Sequence, residues 1–446
     1  MSAVTSRTFD ALHNYNYRLY FFGQIVSVSG TWMQSVAQAW LVLHLTRSGI
    51  ALGAVTAVQF FPILVAGPMG GVIADRVDKR RLLVGTQTAA GLLALALGLL
   101  TLIGAVRLWM VFLLAFGLGC VNAIDNPSRQ SFVMEMVGTD RVTNAVTLNS
   151  VVMNGARVVG PAVAGVLIET VGLSVCFLAN AGSFAAVIIG LMLMRRSQLL
   201  PAPPAARKRG QLREGFRYVR GDPGLLAPLI MMAVIGTLAY NFTVTLPLMA
   251  KFAFHSGAGA FGAMNALMGA GAVVGGLITA SRGNPSNRRL PAMAAGFGAL
   301  MLVCAVMPTL ITELAALAVM GAFSISFIAT ANTTLQLRSA PEMRGRVMAI
   351  YAVAFLGSTP VGGPIVGTIG QTVGPRAAIA VGGIATLAAA GYGFVTLAGV
   401  RLRRRHASVE VSPEVPEMAV IELTPTPASG ADAVAAAALG GERRSD

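Results

Sequence analysis

Twelve apolar blocks, each about 20 residues long, make up most of the chain. A helix of that length crosses the ~30 Å hydrocarbon layer of a bilayer. Only 11% of the residues are charged, against roughly 25% in a soluble domain, which excludes a soluble enzyme, a disordered protein or a coiled coil. The blocks, numbered here as spans 1 to 12, lie near 19–43, 51–73, 82–104, 109–128, 145–168, 174–194, 225–249, 259–280, 291–311, 314–335, 347–370 and 377–399. We therefore predict an all-α membrane protein.

The connectors between the spans alternate sharply in charge. One set holds only Arg47, Arg107, Lys251 and Arg376, and Arg157 lies inside span 5. Of the 33 Lys and Arg residues, 33 − 4 − 1 leaves 28 on the other side. Lys and Arg near span ends stay in the cytoplasm, so we expect both termini there. The net charge of +15 is explained by these connectors, and no nucleic-acid partner is predicted.

Composition divides the chain into four predicted segments. Residues 1–194 and 225–400 each hold six spans, and the proline-rich, basic segment 195–224 links them in the cytoplasm. Within this linker, Gln211 to Arg220 is either an amphipathic helix on an anionic leaflet or part of a solvated basic segment. Residues 401–446 are rich in Pro, Ala and Glu towards their end, and we expect a disordered cytoplasmic tail.

The two halves repeat each other. Gly70–Ile73 at the end of span 2 matches Gly275–Ile278 at the end of span 8, an offset of 276 − 71 = 205, and a basic cluster follows each. Thr170–Gly172 after span 5 matches Thr372–Gly374 after span 11, an offset of 374 − 172 = 202. Similar offsets at equivalent spans imply duplicated six-helix units, an architecture of transporters that alternate access around a midplane site.

Four segments carry a resemblance to a known family. Residues Gly71 to Arg81 (Gly-Val-Ile-Ala-Asp-Arg-Val-Asp-Lys-Arg-Arg) resemble the loop 2–3 motif of the major facilitator superfamily, with Asp78 where that motif usually has Gly. Residues Gly155 to Gly165 resemble the Gly-Pro motif of exporters in the superfamily, with Ala164 replacing one Gly. Residues 23–42 and 341–347 are similar to the branch that contains the enterobactin exporter and macrolide and multidrug efflux permeases.

This resemblance implies the major facilitator fold, two pseudo-symmetric six-helix bundles, and a secondary transporter of the cytoplasmic (inner) membrane. The implied activity is proton-coupled export of a hydrophobic or amphipathic drug or siderophore by a monomer. A proton-coupled uptake symporter of a nutrient and a non-transporting sensor remain alternatives. We predict no enzyme activity, cofactor or metal, since the four histidines are scattered and no GxxxxGK[ST] loop is present.

The resemblance also assigns gating residues. Gly71, Asp75, Arg76 and Arg80 would form a clasp in which the Asp75 carboxylate caps a neighbouring helix, that of span 11, and pairs with arginines. Simple positive-inside topology would explain the arginines, but not Gly71 or Asp75. The small or kinked positions of span 5, Gly160, Pro161 and Gly165, would pack against span 8. Span 8 offers Gly269, Gly271, Gly275 and Gly276 for that contact.

Ionisable residues inside spans are candidates for coupling. Asp125 and Arg129 lie one turn apart in span 4, at ion-pair spacing, and we predict that Arg157 of span 5 joins them. Asp125 is then either a proton carrier or part of a fixed Asp–Arg pair. Glu169 and Glu313 are interpreted as solvated span ends.

Spans 1, 4, 7 and 10 line the cavity in the superfamily, so their polar and aromatic residues are candidates for substrate contact. Hydrogen bonding between helices is the alternative role for the Asn and Gln side chains. A sparse polar lining suits an amphipathic solute better than a sugar. The candidates are Trp32, Gln34, Gln38, Asn122, Tyr240, Asn241 and Asn332.

Overall fold

The computed structural model describes residues 9–200, 211–282, 286 and 288–410, without the side chains of residues 68, 72, 74, 75, 211, 212, 356 and 399–410. These described residues form helices and no strand. Ten stretches among them are long and apolar enough to cross a bilayer, and one of these, Leu108–Thr170, contains both span 4 and span 5. The 32-residue helix Tyr15–Thr46 supplies span 1. The structure thus confirms an all-α membrane fold with a helix at each predicted span.

The helices of the first half follow the predicted spans closely. Spans 1 to 3 are the helices Tyr15–Thr46, Gly49–Arg76 and Lys79–Leu102. Spans 4 and 5 share Leu108–Thr170, and span 6 is Leu173–Met192.

The helices of the second half follow a short linker helix, Gln211–Gly221. Span 7 consists of Pro223–Leu238, Phe242–Leu248 and the π-turn Met249–Ala253. Spans 8 to 10 are Ala258–Ser281, Arg289–Val306 and Leu310–Arg338. Span 11 consists of Pro341–Leu356 and Thr359–Thr372, and span 12 is Pro375–Glu410.

Gly138 separates spans 4 and 5. Its φ of 72° and ψ of 179° interrupt an otherwise continuous helix, a conformation that residues with a Cβ rarely adopt. Span 4 therefore comprises residues 108–137 and span 5 residues 139–170. The sequence predicts a connector over 129–144, but the helices continue through it and extend the bundle beyond the apolar blocks.

Spans 7 and 11 are each broken near the middle, and the two breaks pack against each other. A Cβ on Gly236 of span 7 would lie 2.6 Å from the Ser358 hydroxyl, and one on Gly362 of span 11 would lie 1.9 Å from the Thr237 carbonyl. Broken helices are tolerated at membrane depth where protein or a cavity surrounds the freed backbone. These breaks place Tyr240 and Asn241 outside regular helix.

The internal repeat is visible in the packing. A Cβ on Gly70 of span 2 would lie 2.0 Å from the Ala123 carbonyl of span 4. A Cβ on its counterpart Gly275 of span 8 would lie 2.3 Å from the Ala322 carbonyl of span 10. Equivalent glycines thus allow the same close approach between equivalent helices in both halves.

The linker helix Gln211–Gly221 packs on the start of span 11. Glu214 Oε1 lies 2.7 Å from Arg346 Nη1, and the Tyr218 hydroxyl accepts a hydrogen bond from the Ala340 amide at 3.1 Å. Of the two interpretations of this segment, the structure shows the helix, and this helix packs against the protein.

The compact unit that contains all twelve spans ends at Leu402, and a second unit begins at Arg403. The helix of span 12 is assigned through Glu410, so residues 401–410 are helical where the sequence predicts disorder. Residues 411–446 of the predicted tail lie outside the described residues.

Candidate functional site at the interface between the bundles

Spans 2 and 11 bring the two bundles into backbone contact. A Cβ on Gly53 would lie 2.2 Å from the Gly363 carbonyl oxygen, and one on Gly367 would lie 2.3 Å from the Gly49 carbonyl oxygen. No side chain fits between backbones this close, so small residues permit the contact. The connectors at one end of the spans contain few basic residues, and this end is here called the opposite end. The other end, whose connectors contain most of the Lys and Arg residues, is called the basic end. The four glycines lie near the opposite end.

Spans 5 and 8 form the second contact between the bundles. A Cβ on Gly165 would lie 3.1 Å from Gly259 Cα, and one on Gly262 would lie 2.6 Å from the Pro161 carbonyl oxygen. The predicted packing of Pro161 and Gly165 against span 8 is present. Its partners are chiefly Gly259 and Gly262, which the sequence analysis did not select.

The remaining glycines of that prediction behave differently. A Cβ on Gly160 would meet span 1, 2.6 Å from the Ser29 carbonyl oxygen and from Trp32 Cβ. Of the four glycines chosen on span 8, Gly269 faces the Arg157 carbonyl oxygen, whereas Gly271 and Gly275 face span 10 and Gly276 has nothing within 4 Å. The prediction was wrong for those three because one helix presents different faces to span 5 and to its own bundle.

Polar contacts also join the bundles at the opposite end. The Ser48 hydroxyl and the Ile50 amide donate to Gln371 Oε1 at 2.6 and 3.1 Å. Lys251 Nζ donates to the Leu43 carbonyl at 2.7 Å. These hydrogen bonds between the bundles all lie at the opposite end.

Glu169 makes the most informative of these contacts. Its Oε1 accepts from the Gly259 amide at 2.8 Å, at the start of span 8. A carboxylate stabilises a helix N-terminus by capping free amides and by favourable interaction with the helix dipole. The side chain is exposed, as predicted for a span end, but its contact between the bundles is a function that sequence reasoning missed.

The interpretation of Glu313 as a solvated span end was wrong. The residue is 0% exposed near the start of span 10, and neither carboxylate oxygen has a hydrogen-bond partner among the described residues. Hydropathy alone cannot show this, because it does not report which neighbouring helices cover a side chain.

Towards the basic end the bundles diverge. Gly262, Gly269 and Gly276 are seven residues apart and therefore share one face of span 8. A Cβ at the first would lie 2.6 Å from span 5, at the second 3.2 Å, and at the third nothing lies within 4 Å. Gly67 in span 2 likewise has no neighbour within 4 Å. The interface is closed at the opposite end and opens progressively towards the basic end.

The predicted clasp lies at the basic end. The side chain of Asp75 is outside the described residues, Gly71 is buried and Arg76 is exposed. Arg80 is held within its own half, where Nε and Nη2 donate to the Leu191 and Met192 carbonyls at 2.5 and 2.8 Å. A cation at the C-terminus of span 6 is favoured by the helix dipole.

The predicted pair of Asp125 and Arg129 is confirmed. Arg129 Nη2 and Nε lie 2.5 and 3.0 Å from Asp125 Oδ2, and Arg129 Nη1 donates to Gln24 of span 1. Thr86 and Gln87 of span 3 donate to Asp125 Oδ1 at 2.7 and 2.8 Å. The carboxyl group is 2% exposed and ties three spans together.

The prediction that Arg157 joins this pair was wrong. Its guanidinium lies 5.1 Å from the centre of the Trp32 ring, and the described residues contain no ion pair to it. Arg157 projects from span 5 towards span 1, whereas Asp125 faces span 3, so adjacency in the chain does not place them together.

Most of the polar residues predicted to contact substrate make hydrogen bonds within or between spans. Gln34 Oε1 accepts from Asn180 at 2.6 Å, Gln38 donates to Gln59 at 2.8 Å, and Asn241 Nδ2 donates to the Thr237 carbonyl at 2.7 Å. The alternative role, hydrogen bonding between helices, describes the contacts of Gln34 and Gln38, whereas Asn241 bonds within its own span. Asn332 Oδ1 accepts from Gln336 at 2.5 Å, and Asn122 is half-buried.

Trp32 and Tyr240 lie at the middle of the molecule with half-buried rings. The Tyr240 hydroxyl donates to the Ser324 carbonyl of span 10 at 2.8 Å. Its ring contacts a group of aromatic side chains from spans 7, 9 and 11, which the sequence analysis did not identify because no regular spacing links them. The ring centroids of Phe242, Phe297 and Phe355 lie 5.3–5.9 Å from that of Tyr240.

Comparison with known proteins agrees with this architecture. The sequence profile of a major facilitator family described as transmembrane secretion effector matches residues 6–430. The chain belongs to this family. It is therefore a multi-pass membrane transporter of the major facilitator type.

Curated relatives of the chain include siderophore transporters. It is 25% identical to the staphyloferrin A transporter of Staphylococcus aureus over 58% of this chain and 66% of the relative, just under two thirds of that length. It is 24% identical to the enterobactin exporter EntS of Citrobacter koseri over 82% of this chain and 88% of the relative.

Solved structures share the fold of the chain. A bacterial homologue of the lysosomal transporter Spinster, in an inward-facing conformation, is 14% identical with a TM-score of 0.67, covering 88% of this chain and 96% of that one. A bacterial homologue of the iron transporter ferroportin, also inward-facing, is 14% identical with a TM-score of 0.67, covering 86% and 98%. At this identity the likeness concerns the fold alone.

Proposed function

We propose that the chain exports a hydrophobic or amphipathic small molecule, of drug or siderophore type, by alternating access. The observation that carries this proposal is the wedge-shaped interface, closed at the opposite end and open at the basic end. With the basic end in the cytoplasm, as the distribution of Lys and Arg favours, the mid-span site opens to the cytoplasm. A site in that state can take up solute from inside the cell and release it outside after the bundles rock.

The solute class is inferred from the residues around the middle of the interface. Trp32, Tyr240 and Phe355 offer half-buried aromatic surface, while several of the polar residues nearby are engaged with helices. Such a site suits a molecule with a large apolar body and few hydrogen-bonding groups. The names of the relatives, a staphyloferrin A transporter and an enterobactin exporter, favour a siderophore within this class.

Proton antiport is the proposed energy source, with Asp125 as the carrier. Protonation of its carboxyl group would remove the counter-ion of Arg129 and weaken contacts to spans 1 and 3, which links a proton to the arrangement of three helices. The fixed-pair role remains the alternative for the same geometry. Asp75, with Gly71 and Arg76, is proposed to close the basic end in the other conformation by capping span 11.

The test is transport by the purified protein in proteoliposomes. Export predicts that an imposed pH gradient drives solute movement against the proton flow, and that overexpressing cells accumulate less solute and tolerate more of it. A nutrient symporter would instead raise accumulation in cells. If no solute in a siderophore and drug panel moves, a non-transporting sensor is favoured and the proposal fails.

Location and assembly complete the proposal: a monomer in the cytoplasmic membrane with both termini inside. Reporter tags at Met1 and Asp446 should both be protected from proteases added to the outside of intact cells. Detection of either tag outside would contradict the orientation on which the direction of transport depends.

A further inference from the structure

Among the described residues, the buried charges towards the basic end form pairs, whereas Arg157 in the middle of span 5 and Glu313 near the opposite end do not. Asp125 pairs with Arg129, and Lys79 Nζ lies 2.5 Å from Glu135 Oε1, with both side chains 9% exposed. Arg157, in the middle of span 5, has no carboxylate within ion-pair distance among the described residues. The pairs are neutral, so Arg157 leaves an excess positive charge at this depth.

An unpaired cation in the membrane interior is energetically costly, and side chains of this kind are retained for function. The cost falls if the site binds an anion, because a guanidinium donates paired hydrogen bonds to carboxylate-like groups. The Arg157 Nε is buried and has no hydrogen-bond partner in the part of the chain that the structure describes, so one donor of the fork is unsatisfied there.

The position of Arg157 is suited to contact with a solute. A Cβ on Gly269 of span 8 would lie 3.2 Å from the Arg157 carbonyl oxygen. Arg157 therefore lies at the level where the bundles begin to diverge. Its guanidinium lies over the Trp32 ring of span 1, and the side chain is half-buried. A cation held on one face by an indole keeps its N–H edge available for a ligand.

From this geometry we propose that Arg157 binds an anionic group on the transported solute, and that Trp32 holds the guanidinium in place. The ligand class is an organic anion, a carboxylate or acidic phenolate, attached to an apolar or aromatic body that packs near Trp32 and Tyr240. This inference rests on the proposed transport function and specifies the chemistry of its substrate.

The experiment measures binding of three ligands with the same body and different charge: 2-naphthoate, 2-naphthamide and 2-naphthylmethylammonium. The full chain in detergent carries W40F and W109F, which leaves Trp32 as the fluorophore since the sequence has three tryptophans. Quenching of Trp32 fluorescence reports binding close to the site.

We expect naphthoate to bind about 10-fold or more tightly than the amide, the gain typical of a charge-assisted hydrogen bond. R157Q should reduce naphthoate affinity to that of the amide and leave amide affinity unchanged, which also shows that the variant is folded. R157K should retain an intermediate preference. R220Q, which removes an exposed arginine from the linker helix, should match the parent protein.

Three results would overturn the inference: equal or tighter binding of the amide or the ammonium compound, an anion preference that survives R157Q, or no saturable quenching by naphthoate up to millimolar concentration. Transport is scored separately in proteoliposomes with the siderophore and drug panel. Anion-selective binding without flux would refute the proposed function alone. Flux of panel solutes without anion-selective binding would refute the role of Arg157 alone.

Discussion

Replacing Gly53 by Ala should shift the protein away from the state seen in this structure. The new Cβ would lie 2.2 Å from the Gly363 carbonyl oxygen, which is backbone and cannot swing aside. Because real Cβ contacts essentially never fall below 3.0 Å, spans 2 and 11 must separate by about 0.8 Å or more, the difference between these distances. Overpacking of this kind costs ~1–3 kcal/mol, and only the state closed at the opposite end bears that cost.

The expected change is therefore a shift of about 5- to 150-fold in the conformational equilibrium, towards opening of the opposite end. The assay is disulfide cross-linking of S48C with Q371C in a background without the native cysteines. The Ser48 hydroxyl and Gln371 Oε1 lie 2.6 Å apart, so the cysteine pair is close only when this end is closed. G53A should slow cross-linking several-fold and reduce export.

The matched control is G67A, fourteen residues further along the same helix and on nearly the same face. Gly67 has nothing within 4 Å, and both substitutions gain the same helix propensity from alanine. G67A should cross-link at the parental rate. Equal cross-linking rates in G53A and the parent, with G53A folded by its melting curve, would refute the claim that backbone contact between spans 2 and 11 closes this end.

Three further predictions concern acidic residues. E169A should open the opposite end about 2- to 30-fold more often, because loss of a helix cap costs ~0.5–2 kcal/mol. E169Q keeps a hydrogen-bond acceptor and should change the equilibrium less. An unchanged cross-linking rate in E169A would contradict the capping role. D125N should lower the free energy of unfolding by ~3–5 kcal/mol, since Arg129 is left buried without a counter-ion. The same variant should abolish proton-driven transport. D125N/R129Q should recover the stability but not the transport. A D125N protein with parental melting and transport would exclude both roles. D75N should reduce transport and leave the basic end more accessible to a water-soluble maleimide, and parental values for both would exclude the clasp.

The sequence predicts the fold well because each membrane-spanning helix is specified by the local composition of one continuous segment. Length, hydropathy and the distribution of arginines locate each span to within a few residues, and the glycine repeats at 70–73 and 275–278 reveal the duplication. The largest departures are the helices through 129–144 and the break at Gly138. The charged and polar residues there predict a loop, whereas tertiary packing around Met136 and Ala145 maintains the helix.

The candidate site is only partly predictable. Asp125 and Arg129 are four residues apart on one helix, so their pairing follows from local geometry. The surroundings of Arg157, Glu169 and Glu313 are formed by other spans, and a single sequence does not give the rotation of one helix relative to another. That rotation decides that Arg157 meets Trp32, that Glu169 caps span 8, and that Glu313 is covered.

Simultaneous distances at both ends of the molecule test the central claim most directly. Spin labels at the exposed positions Val171 and Val373 report the opposite end, and labels at Leu193 and Leu337 report the basic end. Across conditions that vary pH and solute, we predict opposite changes: the first distance lengthens as the second shortens, and G53A moves the populations in the same sense. Distances that both stay fixed, or that lengthen together, would contradict alternating access by rocking of the two bundles.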